Sequence, residues 1–261
     1  MAELLFWPAL LLYGEAAVGY FGDARHPGVA GRVATWGVRL GWLLQTALLA
    51  VQAARENGFP WGTWAGSLNL FVWLVVGAYL IWGCRGAYRL LGLVVMPLAA
   101  ALLIVARAGG GTAIGTRSHY SNLFLVLHVG LVLVAFAGFT LASALSALYL
   151  WQERRLKRRA TTILRRPAPS LATLDRLAAR TVAFSLPPLT LGIAVGFAQL
   201  IRHGDRVDAV VIATLVTWAA WLTYLVLRLN GWSGRRAAYI ALAGFALVIL
   251  VRVALPVTHF A

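Results

Sequence analysis

Two histidines carry the best candidate chemistry in this chain. His128 lies near the beginning of an almost unbroken apolar run, residues 123–150, and is the only side chain there that titrates near neutrality. His259 stands close to the end of another apolar run, 237–258. An ionisable residue inside a membrane-length segment is a functional hypothesis by default. Two neutral imidazoles facing each other can ligate a haem iron from both sides. The plain alternatives are a buried histidine bonded to a neighbouring helix for His128 and a solvated residue for His259, and spacing alone does not separate them. Arg252 lies seven residues before His259, on the same helix face and about 10 Å deeper. Its guanidinium suits a carboxylate such as a haem propionate, or it snorkels to the surface. Trp61 and Trp64 either join an interfacial aromatic belt or line one wall of a flat aromatic ligand site, with Asn69 a turn or two deeper as its polar contact. The segment RHGDRVD holds His203, Asp205 and Asp208, a weak metal set without a second histidine at helical spacing. Glu15 and Arg39 fall inside apolar runs and are expected to pair, since either alone in hydrocarbon costs several kcal/mol.

These residues must be held by membrane helices. Of 261 residues, 61% are hydrophobic and only 12% charged, against about 45–50% and about 25% in soluble domains. The chain reads as an all-α, polytopic integral membrane protein. Its net charge of +15 sits between the apolar runs rather than on a soluble surface, which argues against nucleic-acid binding. One cysteine, Cys84, excludes an internal disulfide, a CxxC redox pair and a CxxCH attachment site, so any haem is held non-covalently. There is no GxSxG, Walker or HExxH motif. The first run lacks a basic n-region and carries Glu3, so it reads as a retained span.

Eight helices are expected, at 3–21, 33–54, 62–83, 88–106, 121–151, 178–201, 208–228 and 237–258, forming one domain over residues 1–261. The basic stretch 153–177 reads as a loop containing a short interfacial amphipathic helix capped by Ser170. Pro187 and Pro188 predict a kink or partial unwinding of the sixth span. Lys and Arg fall mainly in alternate loops, with nine of them between residues 154 and 180. That side is expected to be cytoplasmic, which puts both termini outside. It also places His119, His128, His203 and His259 on the outer face.

The stretch NLFLVLHVGLVLVAFAGFTLASALSALYLWQERRLKRR resembles the histidine-bearing span and basic loop of the cytochrome c assembly family of haem-handling membrane proteins. The likeness continues through PSLATLDRLAARTVAFSLPPLTLGIAVG, the GW-x-GRRAA stretch at 231–238 and the ending LPVTHFA. The resemblance implies that His128 and His259 hold haem b from opposite faces at an external site. Haem lyase members carry a tryptophan-rich WWD loop where this chain reads IRHGDRVDAVVIATLVTW, in which only Asp208 survives. They also carry a transmembrane histidine at the position of Val226. Both departures argue against a complete haem lyase and favour the HemX-like branch. That branch implies haem handling or transport in the bacterial plasma membrane, or control of haem biosynthesis. The implied partners are haem, membrane lipid, and either a cytochrome c assembly subunit or glutamyl-tRNA reductase at the basic loop.

Overall fold

Lipid offers no hydrogen bonds, so apolar segments must satisfy their backbone internally, as helices. The computed structural model describes residues 2–25, 28–55, 63–83, 88–110, 122–157, 169–203, 207 and 209–254. Among these there is no strand, and eight α-helices form: α1 Ala2–Arg25, α2 Val29–Arg55, α3 Trp64–Gly83, α4 Arg89–Ala108, α5 Asn122–Lys157, α6 Leu171–His203, α7 Ala209–Leu229 and α8 Arg235–Ala254. Six of them, α1 and α3 to α7, are long and apolar enough to cross a membrane, fewer than the eight expected. In α2, Arg39, Gln45 and Gln52 dilute the apolar content. In α8 the described side chains, residues 235–249, are fewer than the 18 such a crossing requires.

The basic end of α6 also departs from expectation. The stretch LATLDRLAAR is not a separate interfacial helix but the first turns of α6, which runs unbroken to His203. Nothing between Arg180 and Val182 breaks the helix, so an amphipathic start and an apolar span fuse. Ser170 caps it as expected, accepting from the Thr173 N–H at 3.2 Å. The helix also passes through Pro187 and Pro188 without unwinding. Membrane helices tolerate proline where neighbouring groups accommodate the lost backbone bonds.

The helices cluster into two compact units. The first holds α1–α4 and is tied together by polar side chains. Tyr13 donates to Gln45 Oε1 at 2.8 Å, and Gln45 Nε2 donates to the Asn69 carbonyl at 3.0 Å and to its Oδ1 at 2.8 Å. Trp42 and Trp73 stack at 5.2 Å, each indole N–H bonded to the opposite helix. The expected Glu15–Arg39 pair does not form. Arg39 lies over the Trp36 ring at 4.7 Å, while Glu15 lies beside Gly37. Two residues beyond Gly37, Arg39 is turned about 200° around the helix axis.

The second unit holds α5–α8. Its core stacks Phe139 on Trp221 at 4.4 Å, with Tyr224 edge-on to the same indole. The backbones of α5 and α6 approach closely: Gly138 faces the Ser185 hydroxyl with no room for a Cβ. At the opposite end, Asp175 joins three elements. Its carboxylate accepts from Arg228 Nη1 at 2.8 and 2.9 Å and from the Gly234 N–H at 3.0 Å. Arg228 also donates to the Trp232 carbonyl at 3.2 Å. Gly231, at φ +86°, ends α7 in a Schellman turn, with Trp232 N–H on the Leu227 carbonyl and Gly231 N–H on that of Arg228. Both Asp175 and Arg228 side chains are mostly buried, at 18% and 16% exposure, so solvent screens them little.

Asp175→Ala therefore leaves a mostly buried guanidinium and an N–H without their acceptor. It should cost about 2–3 kcal/mol, read as a lower melting midpoint of the detergent-solubilised protein. Asp175→Asn keeps an acceptor and should lose less. An unchanged midpoint for the alanine variant would show that water replaces the carboxylate at no cost.

Candidate functional site

His128 occupies the second turn of α5, half-buried against α6. Its Nδ1–H donates to the Gly192 carbonyl oxygen at 2.7 Å. A carbonyl can only accept, so this bond requires the proton on Nδ1, and the neutral ring then presents Nε2 as its lone-pair atom. Phe124, one turn earlier, stacks parallel to the imidazole at 5.4 Å with an interplanar angle of 5°. Gly196, one turn beyond Gly192, forms the floor under the ring. A Cβ there would lie 2.5 Å from His128 Cε1 and 2.8 Å from Nδ1. A Cβ on Gly192 would meet Val132 Cγ2 at 2.8 Å. Two glycines four residues apart thus present bare backbone to α5, the arrangement by which membrane helices come close. Gly192, Gly196 and Phe124 were not singled out in the sequence, although the four-residue glycine spacing was there to be read.

The arrangement is what a histidine needs to act as a metal ligand. The second ring nitrogen is bonded to a carbonyl, which selects the tautomer, fixes the ring plane and raises the basicity of Nε2. An imidazole held this way can serve as one ligand of a metal ion or of a haem iron. Among the described residues, no group of three or more His, Cys, Asp or Glu could hold an ion.

The remaining predicted residues fall in different places. Trp64 opens α3 in the first unit, 42% exposed, with its ring against Gly109 at the end of α4. Asn69 is 1% exposed in the core of that unit, its Oδ1 and carbonyl both engaged by Gln45. Asn69 thus ties α3 to α2. Trp61, Asp208 and His259 lie outside the described residues, as do the side chains of His203 and Arg252. Of the two expected histidine ligands, only His128 lies among the described residues.

Known proteins match this chain over most of its length. Residues 61–256 match the family described as Cytochrome C assembly protein. The protein HemX of Brevibacillus brevis is 30% identical over 202 residues, which is 75% of this chain and 74% of HemX. The cytochrome c biogenesis protein CcsA of Synechococcus elongatus is 24% identical over 269 residues, covering 83% of this chain and 82% of its own length. The CcsA of Guillardia theta is 30% identical over 144 residues, 48% of each chain. No solved structure matches the chain significantly. With its histidine-bearing helix and three quarters of its length inside the matched region, the chain belongs to the cytochrome c assembly protein family.

Proposed function

We propose that this membrane protein binds haem b non-covalently at an extracytoplasmic site, with His128 and His259 as axial ligands, and acts in haem handling, haem transport or regulation of haem biosynthesis in a bacterial plasma membrane. The observation that carries the reading is the 2.7 Å bond from His128 Nδ1–H to the Gly192 carbonyl, because it readies Nε2 for a metal. Similarity to HemX over three quarters of both chains supports it. On this reading all eight helices cross the membrane with both termini outside, in keeping with the concentration of Lys and Arg in alternate loops.

Bound haem would supply an iron porphyrin whose iron takes two axial imidazoles. The chain's own residues hold and orient it. His128 offers Nε2 in a fixed plane, Phe124 braces the ring, and Gly192 and Gly196 leave space for it. Arg252 is assigned to a propionate, with Trp61 and Trp64 against the flat face. Asp208 stands alone where haem lyases carry their tryptophan-rich loop, and Val226, 47% exposed on α7, cannot ligate. These two departures set the chain apart from a complete lyase. Similarity to CcsA over 83% of the chain favours a second reading, an accessory component of cytochrome c maturation working with a partner subunit. Expression in a strain lacking its own lyase distinguishes them: restored cytochrome c would replace the first reading with the second.

Protein purified in detergent should be coloured, with a low-spin Soret band. His128→Ala and His259→Ala should each remove or shift that band. Colourless protein that also refuses added haemin would end the haem reading. Gly196→Val leaves both ligands in place but drives a side chain into the imidazole. Loss of such supporting contacts typically weakens metal binding about 10–100-fold, so its haem titration should shift by that order, and its melting midpoint should fall because the tight α5–α6 contact must open. A Gly196→Val protein with wild-type affinity would mean that the ring does not sit on α6 when haem is bound.

A further inference from the structure

The connection between α7 and α8 borders an open depression of about 540 Å³ lined by Asn230, Gly231, Trp232, Ser233, Arg235 and Arg236. We propose that this hairpin binds the phosphate of an anionic membrane phospholipid. The charge is one-sided. Asp175, the carboxylate bonded to this hairpin, is engaged by Arg228 and the Gly234 N–H. Arg235 and Arg236 form no ion pair with any carboxylate among the described residues. Glu153 acts on Arg235 only from a distance, so two guanidiniums without a direct carboxylate partner face the same depression and call for an anion.

The guanidiniums are also oriented. Arg236 lies over the Trp232 ring at 5.7 Å and Arg235 over the Tyr239 ring at 5.5 Å, its Nη2 donating to the Tyr239 hydroxyl at 3.4 Å. An aromatic ring against one face of a guanidinium leaves its N–H edge available, and that edge matches two phosphate oxygens at once. Ser233 adds a hydroxyl donor at the wall of the depression. The frame is built before any ligand arrives. Gly231 at φ +86° and Gly234 at φ +65° take conformations that disfavour other residues, and Asp175 bonds the second of them.

A lipid fits better than a free phosphate because of what surrounds the depression. The hairpin follows directly on a membrane-crossing helix, α7. Leu229, Trp232 and Tyr239 beside it are 85%, 40% and 42% exposed. Tryptophan and tyrosine at such a boundary sit at headgroup depth, so a phosphate reaching Arg235 and Arg236 would leave its acyl chains against apolar surface. This site is independent of His128 and of haem.

Native mass spectrometry of the full-length protein in detergent, titrated with phosphatidylglycerol, tests the assignment. Each arginine near an anionic headgroup contributes about fivefold, so Arg235→Gln/Arg236→Gln should weaken binding about 25-fold. Arg235→Lys/Arg236→Lys keeps the charge but loses the forked edge and should fall between. If the glutamine variant does not fold, the lysine variant together with Ser233→Ala carries the test, and both should bind more weakly than wild type. Arg202→Gln, which removes a basic residue at the other end of α6, should leave this site unchanged. Wild-type affinity in the glutamine variant, or in both fallback variants, would overturn the proposal. Equal binding of phosphatidylcholine would overturn it as well. Competition by inorganic phosphate at the same concentration as the lipid would transfer the site to soluble phosphate esters and sink the lipid assignment.

Discussion

The second unit depends on how closely α5 and α6 approach. In lipid, apolar side chains gain nothing by leaving one hydrocarbon environment for another, so association rests on packing and on polar contacts between helices. Here Gly138 meets Ser185, Gly192 meets Val132, and Gly196 meets the imidazole of His128. At such a distance a side chain of α5 can reach a main-chain carbonyl of α6, which is what His128 does at 2.7 Å. The interface that holds the unit together and the contact that orients its histidine are therefore the same feature. A longer helix separation would lose both.

The first unit meets the same problem with different means. Its helices carry Tyr13, Gln45, Asn69, Thr46 and two stacked tryptophans, which bond to one another across α1, α2 and α3. Amides within a bilayer are tolerable when paired with each other, and pairing sets the rotation of each helix about its axis. Arg39 shows a further route: its guanidinium lies on Trp36, one turn away on the same helix, so it needs no carboxylate from α1. Polar content in these helices is thus compatible with a structural role, and Asn69 belongs to this set.

Where a signal is local, the amino-acid sequence carries it. Eight helices, the Ser170 cap and a lone histidine early in a long span follow from composition, hydroxyl placement and apolar run length, and they recur in the structure. It is less informative where the outcome depends on a neighbour. LATLDRLAAR carries charges that suggest a surface helix, but continuity with the following span decided its fate. Glu15 and Arg39 have opposite charges and similar depth, yet helix rotation separates them. For Asn69, no local pattern reveals that Gln45 lies opposite and donates to it. The Gly192–Gly196 pair was legible as spacing, but only three-dimensional packing shows that it serves His128.

The two ends of α6 carry different chemistry, and their separation has a physical meaning. Gly192 lies seventeen residues after Asp175, which at about 1.5 Å per residue is about 26 Å, close to the roughly 30 Å hydrocarbon thickness of a bilayer. One end holds a charge-assisted latch of Asp175, Arg228 and Gly234 beside a cluster of arginines. The other holds an imidazole whose Nδ1–H is fixed on a main-chain carbonyl. A charged latch is stable only where water or headgroups can solvate its surroundings, so it marks one boundary of the membrane. Because α6 runs unbroken between them, a shift of the latch along the helix axis would be transmitted to Gly192 as a rigid displacement, and a hydrogen bond of 2.7 Å has little slack to absorb it. The geometry of the histidine therefore depends on the anchoring of the opposite end of the same helix.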